Sequence, residues 1–262
     1  KHTRMSGTSM SNPIYAGAAL LVKQAVLRVA KAGTAAYDFF LEELPYTVNL
    51  LLMRSSEDMR VPIFFQEAGF LNAERAVHLA AETFGGDLNA WPTRAAKGVL
   101  TMLRLRASST ADWSWIARAK ELYFAERAVF EGAESAKLKA EEAERKQMGS
   151  APRHPDAPPE DPRLAMQAKQ QVGNAGNKAL NAEFNRLRQE ALPKFLAVLD
   201  YDAAGRPAEP VWLNRMFAAF ALLNLRVPDA ALPLAKAALG DPDARVRQIA
   251  FLAIAETQSY AA

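Results

Sequence analysis

Residues 6–22 read Ser-Gly-Thr-Ser-Met-Ser-Asn-Pro-Ile-Tyr-Ala-Gly-Ala-Ala-Leu-Leu-Val, a small polar turn that leads into an apolar helix. Gly7 permits a tight backbone turn, which places the hydroxyl of Ser9 at the first turn of this helix. Unpaired N–H groups and the positive end of the helix dipole favour a developing negative charge there. Pro13 fits the same first turn, where its missing N–H is not needed. The following run is apolar on nearly all sides, which predicts a buried helix ending near Ala30.

Ser9 has two interpretations when only its surroundings are considered. A Gly-x-Ser at the start of a helix is most often an ordinary N-cap. A serine in this position is also a sensible acyl-transfer nucleophile, and the small residues Ala16 to Ala19 would let neighbouring backbone pack closely against the helix. The segment is not a Gly-x-Ser-x-Gly nucleophile elbow, because position 11 is Ser.

The longer string is similar to a known family. Residues 6–10, together with Pro13 and Gly17, resemble the nucleophile segment of subtilisin-like serine proteases (subtilases), in which this helix fills the centre of the fold. Residues 46–52 resemble the helix that follows. Residues 67–77, Glu-Ala-Gly-Phe-Leu-Asn-Ala-Glu-Arg-Ala-Val, resemble the closing turn and helix of the family.

This resemblance covers residues 5–83, and it departs from the family at Glu67-Ala68, where a further glycine is common. It implies that Ser9 attacks the scissile carbonyl and that its backbone N–H helps to hold the oxyanion. The family's triad runs Asp, His, Ser along the chain. Only eight residues precede Ser9, so we expect the Asp and His segments to lie upstream of this chain, along with the Asn of the oxyanion hole. Asn12 does not match that Asn.

The short run 61–65 is a strand candidate. Helical patterns dominate beyond residue 91. Helices are predicted in residues 91–108, 111–148, 163–199, 210–225, 228–239 and 243–258. The predicted fold class is therefore mainly α: the C-terminal fragment of a subtilisin-like α/β catalytic domain followed by an all-α helical domain.

Composition divides the chain into four predicted parts. Residues 1–85 form the incomplete catalytic domain and residues 86–148 a helical extension. Residues 149–162 carry five prolines and predict a linker, and residues 163–262 form a helical C-terminal domain. The helix pairs after residue 218 have the spacing of tetratricopeptide or HEAT-type hairpins, but too few units are present to define a repeat array.

Charge and composition exclude several classes. The 262 residues contain 32 Lys and Arg and 29 Asp and Glu, for a formal net charge of +3, which is too weak to indicate nucleic-acid binding. No apolar run approaches the roughly 20 residues of a membrane helix. The absence of cysteine excludes disulfides, thiolate zinc sites and cysteine nucleophiles, while leaving the compartment open.

Other polar clusters predict no metal or cofactor. The carboxylates of Asp241-Pro242-Asp243 and of residues 156–161 lack Ca²⁺-loop spacing, and we interpret them as solvated turn residues. The histidines have no triad context and are expected on the surface; they are His2, His78 and His154. Trp212, Phe217 and Phe220 have helical spacing, which favours core packing over a ligand platform.

Two functions remain open. The first is a serine-type endopeptidase that cleaves polypeptide substrates through an acyl-enzyme on Ser9, with the isolated 262 residues inactive. The alternative is a non-catalytic helical module in which Ser9 only caps a helix and residues 91–262 bind a protein partner. Because subtilases are often secreted, the resemblance favours an extracytoplasmic location.

Overall fold

The computed structural model describes residues 8–66, 68–86, 112–149, 162–202 and 204–258. Within these ranges the chain is mainly helical and contains no strand. A 3₁₀ turn spans Pro228–Ala230 between the eighth and ninth helices. In chain order the α-helices are α1 (Thr8–Val29), α2 (Ala35–Glu42), α3 (Leu44–Ser55), α4 (Ile63–Gln66), α5 (Ala73–Thr83), α6 (Ser114–Gly149), α7 (Pro162–Val198), α8 (Trp212–Leu225), α9 (Ala231–Gly240) and α10 (Ala244–Gln258).

The predicted helices in the described ranges are confirmed, whereas the predicted strand is wrong. Residues 61–65 contain the start of α4 instead. The backbone N–H of Ile63 donates to Gln248 Oε1 at 2.8 Å. The side chain of a residue distant in sequence therefore binds the first N–H of α4, which has no partner inside the helix. In a strand this N–H would donate to a neighbouring strand instead. The predicted helix in residues 91–108 lies outside the described residues. The same holds for residues 150–161 of the predicted linker.

The chain divides into two compact units, and the first comprises residues 1–121 and 198–262. The second comprises residues 122–197, where α6 and α7 run antiparallel. The rings of Phe130 and Phe184 lie 5.6 Å apart, and Gln171 donates to Glu144 at 3.0 Å. The predicted boundaries at residues 85, 148 and 162 stay predictions.

In the first unit, α1 packs against α3 and α5. One face of the second half of α1 is buried by these contacts, and its residues are Ala18, Val22, Ala25, Val26 and Val29. The first half differs, because residues 11–17 are all exposed. Ile14 is 68% exposed and Leu20 is 67% exposed. Within the described residues α1 is therefore buried on one face only, and its burial on nearly all sides stays a prediction for the complete protein.

The last three helices form a closely packed layer within the same unit. Helix α10 packs against both α8 and α9, and it also touches α4, while α8 touches α3. Fully buried aliphatic side chains fill this layer, among them Leu213, Leu222, Leu225, Leu234 and Val246. Helices α8 and α10 thus fold onto the segment that carries the subtilase resemblance.

Candidate functional site

The predicted position of Ser9 in a helix is confirmed. Helix α1 begins at Thr8, so the backbone of Ser9 lies in its first turn, among the N–H groups that have no intrahelical partner. This is where the helix dipole is most favourable for negative charge. The catalytic role of Ser9 stays a prediction.

Pro13 occupies a different position from the one expected. Helix α1 begins at Thr8, and Pro13 lies inside it, beyond the first turn. In an unbroken α-helix the N–H of residue 13 would donate to the carbonyl of Ser9. Proline has no N–H, so the Ser9 carbonyl lacks that donor and the helix is weakened directly after the serine.

The small residues of the motif make no close approach in this chain. A Cβ built on Gly17 would meet nothing within 4 Å, and Ala16 is exposed. No neighbouring backbone packs against this stretch within the described residues, so the expected close packing stays a prediction for the complete protein. The cause is the same missing cover that leaves Ile14 and Leu20 exposed.

Tyr15 ties this exposed half of α1 to the rest of the unit. Its hydroxyl donates a short hydrogen bond to Asn49 Oδ1 on α3. Burial raises the pKa of Tyr15, so the hydroxyl remains a donor throughout the neutral range. The orientation of the first half of α1 therefore depends on a polar contact, in addition to the apolar packing of its second half.

The closing turn of the resemblance has the geometry that its residue types require. Gly69 has φ +120°, and a Cβ built there would lie 2.9 Å from Glu57 C and closer still to Glu57 O. Glu57 and Phe70 exchange both backbone hydrogen bonds, at 2.9 and 2.8 Å. Asn72 then caps α5 by accepting from the N–H of Arg75 at 2.9 Å. Only glycine fits at position 69.

Arg245 of α10 holds this turn from the other end of the chain. Its Nη1 donates to the carbonyl of Ala68 at 2.6 Å and to that of Ser56 at 3.3 Å. The guanidinium carbon lies 3.4 Å from the ring centroid of Trp212, a cation–π contact. Residues 68 and 245 are 177 positions apart, so no local pattern could have predicted this contact.

Asp243 completes the contact from the start of α10. Its carboxylate accepts from Arg245 Nη2 at 2.7 Å and from the backbone N–H of Arg245 at 2.9 Å. Burial alone raises the pKa of Asp243, but the hydrogen bonds and charge of Arg245 outweigh it and hold that pKa below its usual range. Asp243 is therefore ionised and caps the helix.

Asp241 is not the solvated turn residue that the sequence indicated. It is 1% exposed, and its two carboxylate oxygens accept from Arg215 Nε and Nη2 at 2.7 and 3.0 Å. Tyr201 donates to the same carboxylate at 2.6 Å. Burial, followed by the bond to Asp241, raises the pKa of Tyr201 above its usual value. The group is fully hydrogen-bonded and joins two helices, which is a structural role.

The histidines predicted to lie on the surface and the aromatic residues predicted to lie in the core agree only in part with the observed burial. His78 lies on α5, where it is half-buried rather than fully exposed, while His2 and His154 lie outside the described residues. Trp212 is half-buried under Arg245, and Phe220 is exposed. The expected core packing of the aromatic residues is therefore wrong for Phe220, whereas Phe217 is half-buried.

Sequence analysis missed an open cleft of about 710 Å³ in the first unit. Arg54 lies over the ring of Trp115, 4.4 Å from its centroid, and carboxylates of Glu82, Asp112 and Glu209 surround it. Burial lowers the pKa of Arg54, and these three carboxylates oppose that shift. The residues come from α3, α5, the start of α6 and the segment before α8, so the cleft exists only after tertiary folding.

The cleft holds a serine next to a carboxylate, but not a catalytic pair. Ser114 Oγ donates to Asp112 Oδ1 at 2.6 Å, and the backbone N–H of Ser114 donates to the same oxygen at 3.1 Å. These bonds lower the pKa of Asp112, which makes its carboxylate a poor base for the hydroxyl proton. The pair caps α6, and the cleft is polar without an activated nucleophile.

Neither metal binding nor membrane insertion has support in the parts of the chain that the structure describes. No three His, Asp or Glu side chains are grouped there in a way that could hold a metal ion. None of the helices described combines the length and apolarity needed to cross a bilayer. Residues 156–161, the other carboxylate cluster, lie outside those ranges.

Comparisons with family models, with curated proteins and with solved structures returned no match to this chain. The subtilase resemblance therefore depends on the motif residues alone. The class that the fold itself defines is broader, a mainly helical protein.

Proposed function

We propose that this chain contains the nucleophile-bearing C-terminal part of a subtilisin-like α/β serine endopeptidase, followed by a helical domain. Ser9 attacks the scissile carbonyl of a polypeptide substrate and forms an acyl-enzyme. The histidine that accepts its proton and the aspartate that orients this histidine come from sequence outside the 262 residues. The backbone N–H of Ser9 contributes to the oxyanion hole.

The observation that carries the proposal is the uncovered first half of α1. Residues 11–17 are exposed although they include Ile14 and Tyr15, and Leu20 one turn later is exposed as well. Apolar surface of this kind is stabilised when another element removes it from water, at roughly 25 cal/mol per Å². A helix that fills the centre of a catalytic domain would present such a surface to the remainder of that domain.

The small residues of the same stretch support the proposal independently. Ala16 is exposed and Gly17 has open space around it, so neither is required by packing within the described residues. Glycine inside a helix costs about 1 kcal/mol relative to alanine. Close approach by an element from outside these residues would account for a glycine that the present packing does not use.

The alternative function is a non-catalytic helical interaction module in which Ser9 has only a structural role. The expected helix cap is not at Ser9, because α1 already begins at Thr8. Large apolar side chains left exposed on α8, α9 and α10 favour it, and among them are Phe220, Leu239 and Phe251. The two functions differ in what the complete open reading frame must encode upstream of Lys1. The endopeptidase requires an Asp-Thr/Ser-Gly segment and a His-Gly-Thr-like segment there, and the absence of both would refute it.

Active-site labelling tests the proposal in the full-length parent. We expect a fluorophosphonate probe to label the parent and the Ser9→Ala variant to lose both labelling and peptidase activity. Residual turnover would be only the ~10³–10⁴-fold acceleration over water that remains when a triad member is removed. The isolated 262 residues should not label, since an unactivated serine hydroxyl is a poor nucleophile.

Ser11→Ala is the matched control, because Ser11 lies one half-turn further along the same helix. This variant should retain labelling and turnover. Unchanged peptidase activity in Ser9→Ala would show that Ser9 is only a structural residue. Rapid labelling of Ser9 in the isolated chain would contradict the assignment of its base to sequence outside these residues.

A further inference from the structure

Two arginines occupy equivalent positions in neighbouring helices. Arg215 is the fourth residue of α8, and Arg247 is the fourth residue of α10. Arg215 Nη1 donates to the carbonyl of Glu209 at 2.7 Å, and Arg247 Nη1 donates to the carbonyl of Asp241 at 2.6 Å. In both cases the accepting residue lies six positions earlier. The backbone therefore holds the two guanidinium groups in the same way at the start of each helix.

The remaining donors of the two arginines differ. Arg215 uses Nε and Nη2 to hold both carboxylate oxygens of Asp241, at 2.7 and 3.0 Å. Asp241 lies in the turn between α9 and α10, so the arginine of one helix binds the turn of the hairpin that packs on it. Arg247 makes one further bond, from Nη1 to Pro242 O at 3.1 Å. Its Nε and Nη2 meet no acceptor within the described residues.

The apolar residues that follow the two arginines also differ, because those on α8 are buried and those on α10 are partly or largely exposed. Ala219 and Leu222 follow Arg215 by one and two turns on α8, and both are fully buried. On α10 the matching positions are Phe251, which is 66% exposed, and Ile254, which is half-buried. Ala255, a turn beyond Phe251, is exposed. We name Arg247, Phe251, Ile254 and Ala255 the outer face of α10.

We propose that the outer face of α10 binds a helical hairpin of a partner protein whose inter-helix turn presents an Asp or Glu carboxylate to Arg247. The occupant is identified by charge complementarity, because Arg215 already binds such a turn through the two donors that Arg247 leaves available. Phe251 stands where α8 has an alanine, so the partner hairpin provides a recess for an aromatic ring. A buried aromatic anchor next to a paired arginine is the composition of an interface hot spot.

A second copy of this chain is a poorer occupant. The carboxylate of its own α9–α10 turn, Asp241, is already fully engaged by Arg215 and Tyr201. A copy would have to offer a different acidic turn. The inference does not depend on the proposed peptidase activity, since none of its residues belongs to the segment of the subtilase resemblance.

A grafted hairpin tests the surface directly. Residues 227–258 are duplicated immediately after Gln258 in the full chain, which places the second copy of Asp241 the same 26 positions after Arg247 as Asp241 is after Arg215. Phe251→Ala is included, because the grafted hairpin is adapted to Ala219 and has no recess for the ring. We expect amide hydrogen exchange in the grafted segment to be at least about tenfold slower than in an unstructured peptide.

Changing the grafted copy of Asp241 to Asn is the matched control. Loss of the charge-assisted bonds to Arg247 should make exchange in the grafted segment about tenfold faster, while exchange in α8 and in the original α10 stays unchanged. Exchange of the grafted segment at unstructured rates would overturn the proposal. Equal protection with Asp and Asn would overturn the role of Arg247.

Sedimentation velocity of the unmodified chain separates the two occupants. We expect a monomer, with sedimentation unchanged by Phe251→Ser. A dimer that dissociates in Phe251→Ser would assign the outer face of α10 to a second copy and would overturn the assignment to a partner protein.

Discussion

The first half of α1 and the first half of α10 make an instructive pair. Residues 11–17 carry the most specific motif in the sequence, and yet all of them are exposed. Residues 245–250 belong to no motif that sequence analysis recognised, and yet Arg245, Val246, Ile249 and Ala250 are all buried. A motif defines what a segment can do, whereas burial depends on which other elements are present to cover it.

The difference has a physical origin in long-range polar contacts. Arg245 of α10 binds the turn at Ala68, and Asp241 in the turn before α10 binds Arg215 of α8. Both interactions join residues far apart in sequence. In the exposed first half of α1, the hydroxyl of Tyr15 donates to Asn49 of α3. The chain therefore buries one face of the first half of α10 with its own residues and leaves the first half of α1 uncovered.

The largest effect should come from breaking the buried ion pair beneath α10. Arg215→Ala leaves the carboxylate of Asp241 buried without its bidentate partner, and we expect the free energy of unfolding to fall by about 3–5 kcal/mol. Urea denaturation followed by circular dichroism measures this. Arg206→Ala is the matched control, because its pair with Asp202 is 81% and 41% exposed and should contribute less than about 1 kcal/mol. Equal losses in both variants would contradict the structural role of Asp241.

The closing turn should be the next most sensitive position. Gly69→Ala places a Cβ against the backbone of Glu57 at φ +120°, and we expect a loss of about 2–4 kcal/mol in unfolding free energy. Gly33→Ala provides the control, since its φ is +79° but nothing lies within 4 Å, so only the backbone strain of about 1 kcal/mol applies. A Gly69→Ala variant no less stable than Gly33→Ala would show that Glu57 can move away from the turn.

Gly17→Ala tests the other side of the comparison. In the isolated chain the added methyl group meets open space, and alanine favours the helix, so stability should rise by up to about 1 kcal/mol. In the full-length parent the proposed function reverses the sign, because an element packed against Gly17 would clash with the methyl group. Thermal unfolding of the isolated chain and of the full-length parent, each with and without Gly17→Ala, measures the two changes in stability. Destabilisation of the isolated chain would mean that α1 is already covered there.

The smallest predicted effect is the pH dependence at the start of α10. The pKa of Asp243 is lowered in the folded chain, so its ionised form stabilises the fold above the unfolded pKa of about 3.9 and this contribution disappears as pH falls through the lower folded value. Asp243→Asn keeps the helix cap but removes the charge. Its unfolding free energy should be about 1 kcal/mol below that of the unmodified chain at pH 7.

The comparison is completed by repeating the urea titrations of Asp243→Asn between pH 7 and pH 3. The difference from the unmodified chain should shrink below about pH 4 as the carboxylate becomes protonated. A difference that stays constant across this range would show that the charge of Asp243 contributes nothing.

Local features were predictable because their causes are local. The first turn of α1, the bounds of α5 and the helices of the last third follow from apolar periodicity, capping residues and proline positions within a few residues of each element. Helix α4 was not predictable in this way, since its first N–H is satisfied by Gln248, which is 185 positions away. The cleft around Arg54 was missed for the same reason, because four separate segments form it.

The sequence by itself determined that the chain is mainly helical, that Ser9 lies at the start of an apolar helix, and that a turn within residues 67–77 leads into α5. These depend on hydrogen bonds and dihedral angles within single segments. Tertiary structure alone decided that Asp241 is buried under Arg215, that Arg245 holds the turn at Ala68, and that the first half of α1 remains uncovered. Burial is a property of surfaces that meet, and a helix encodes only its own side of that contact.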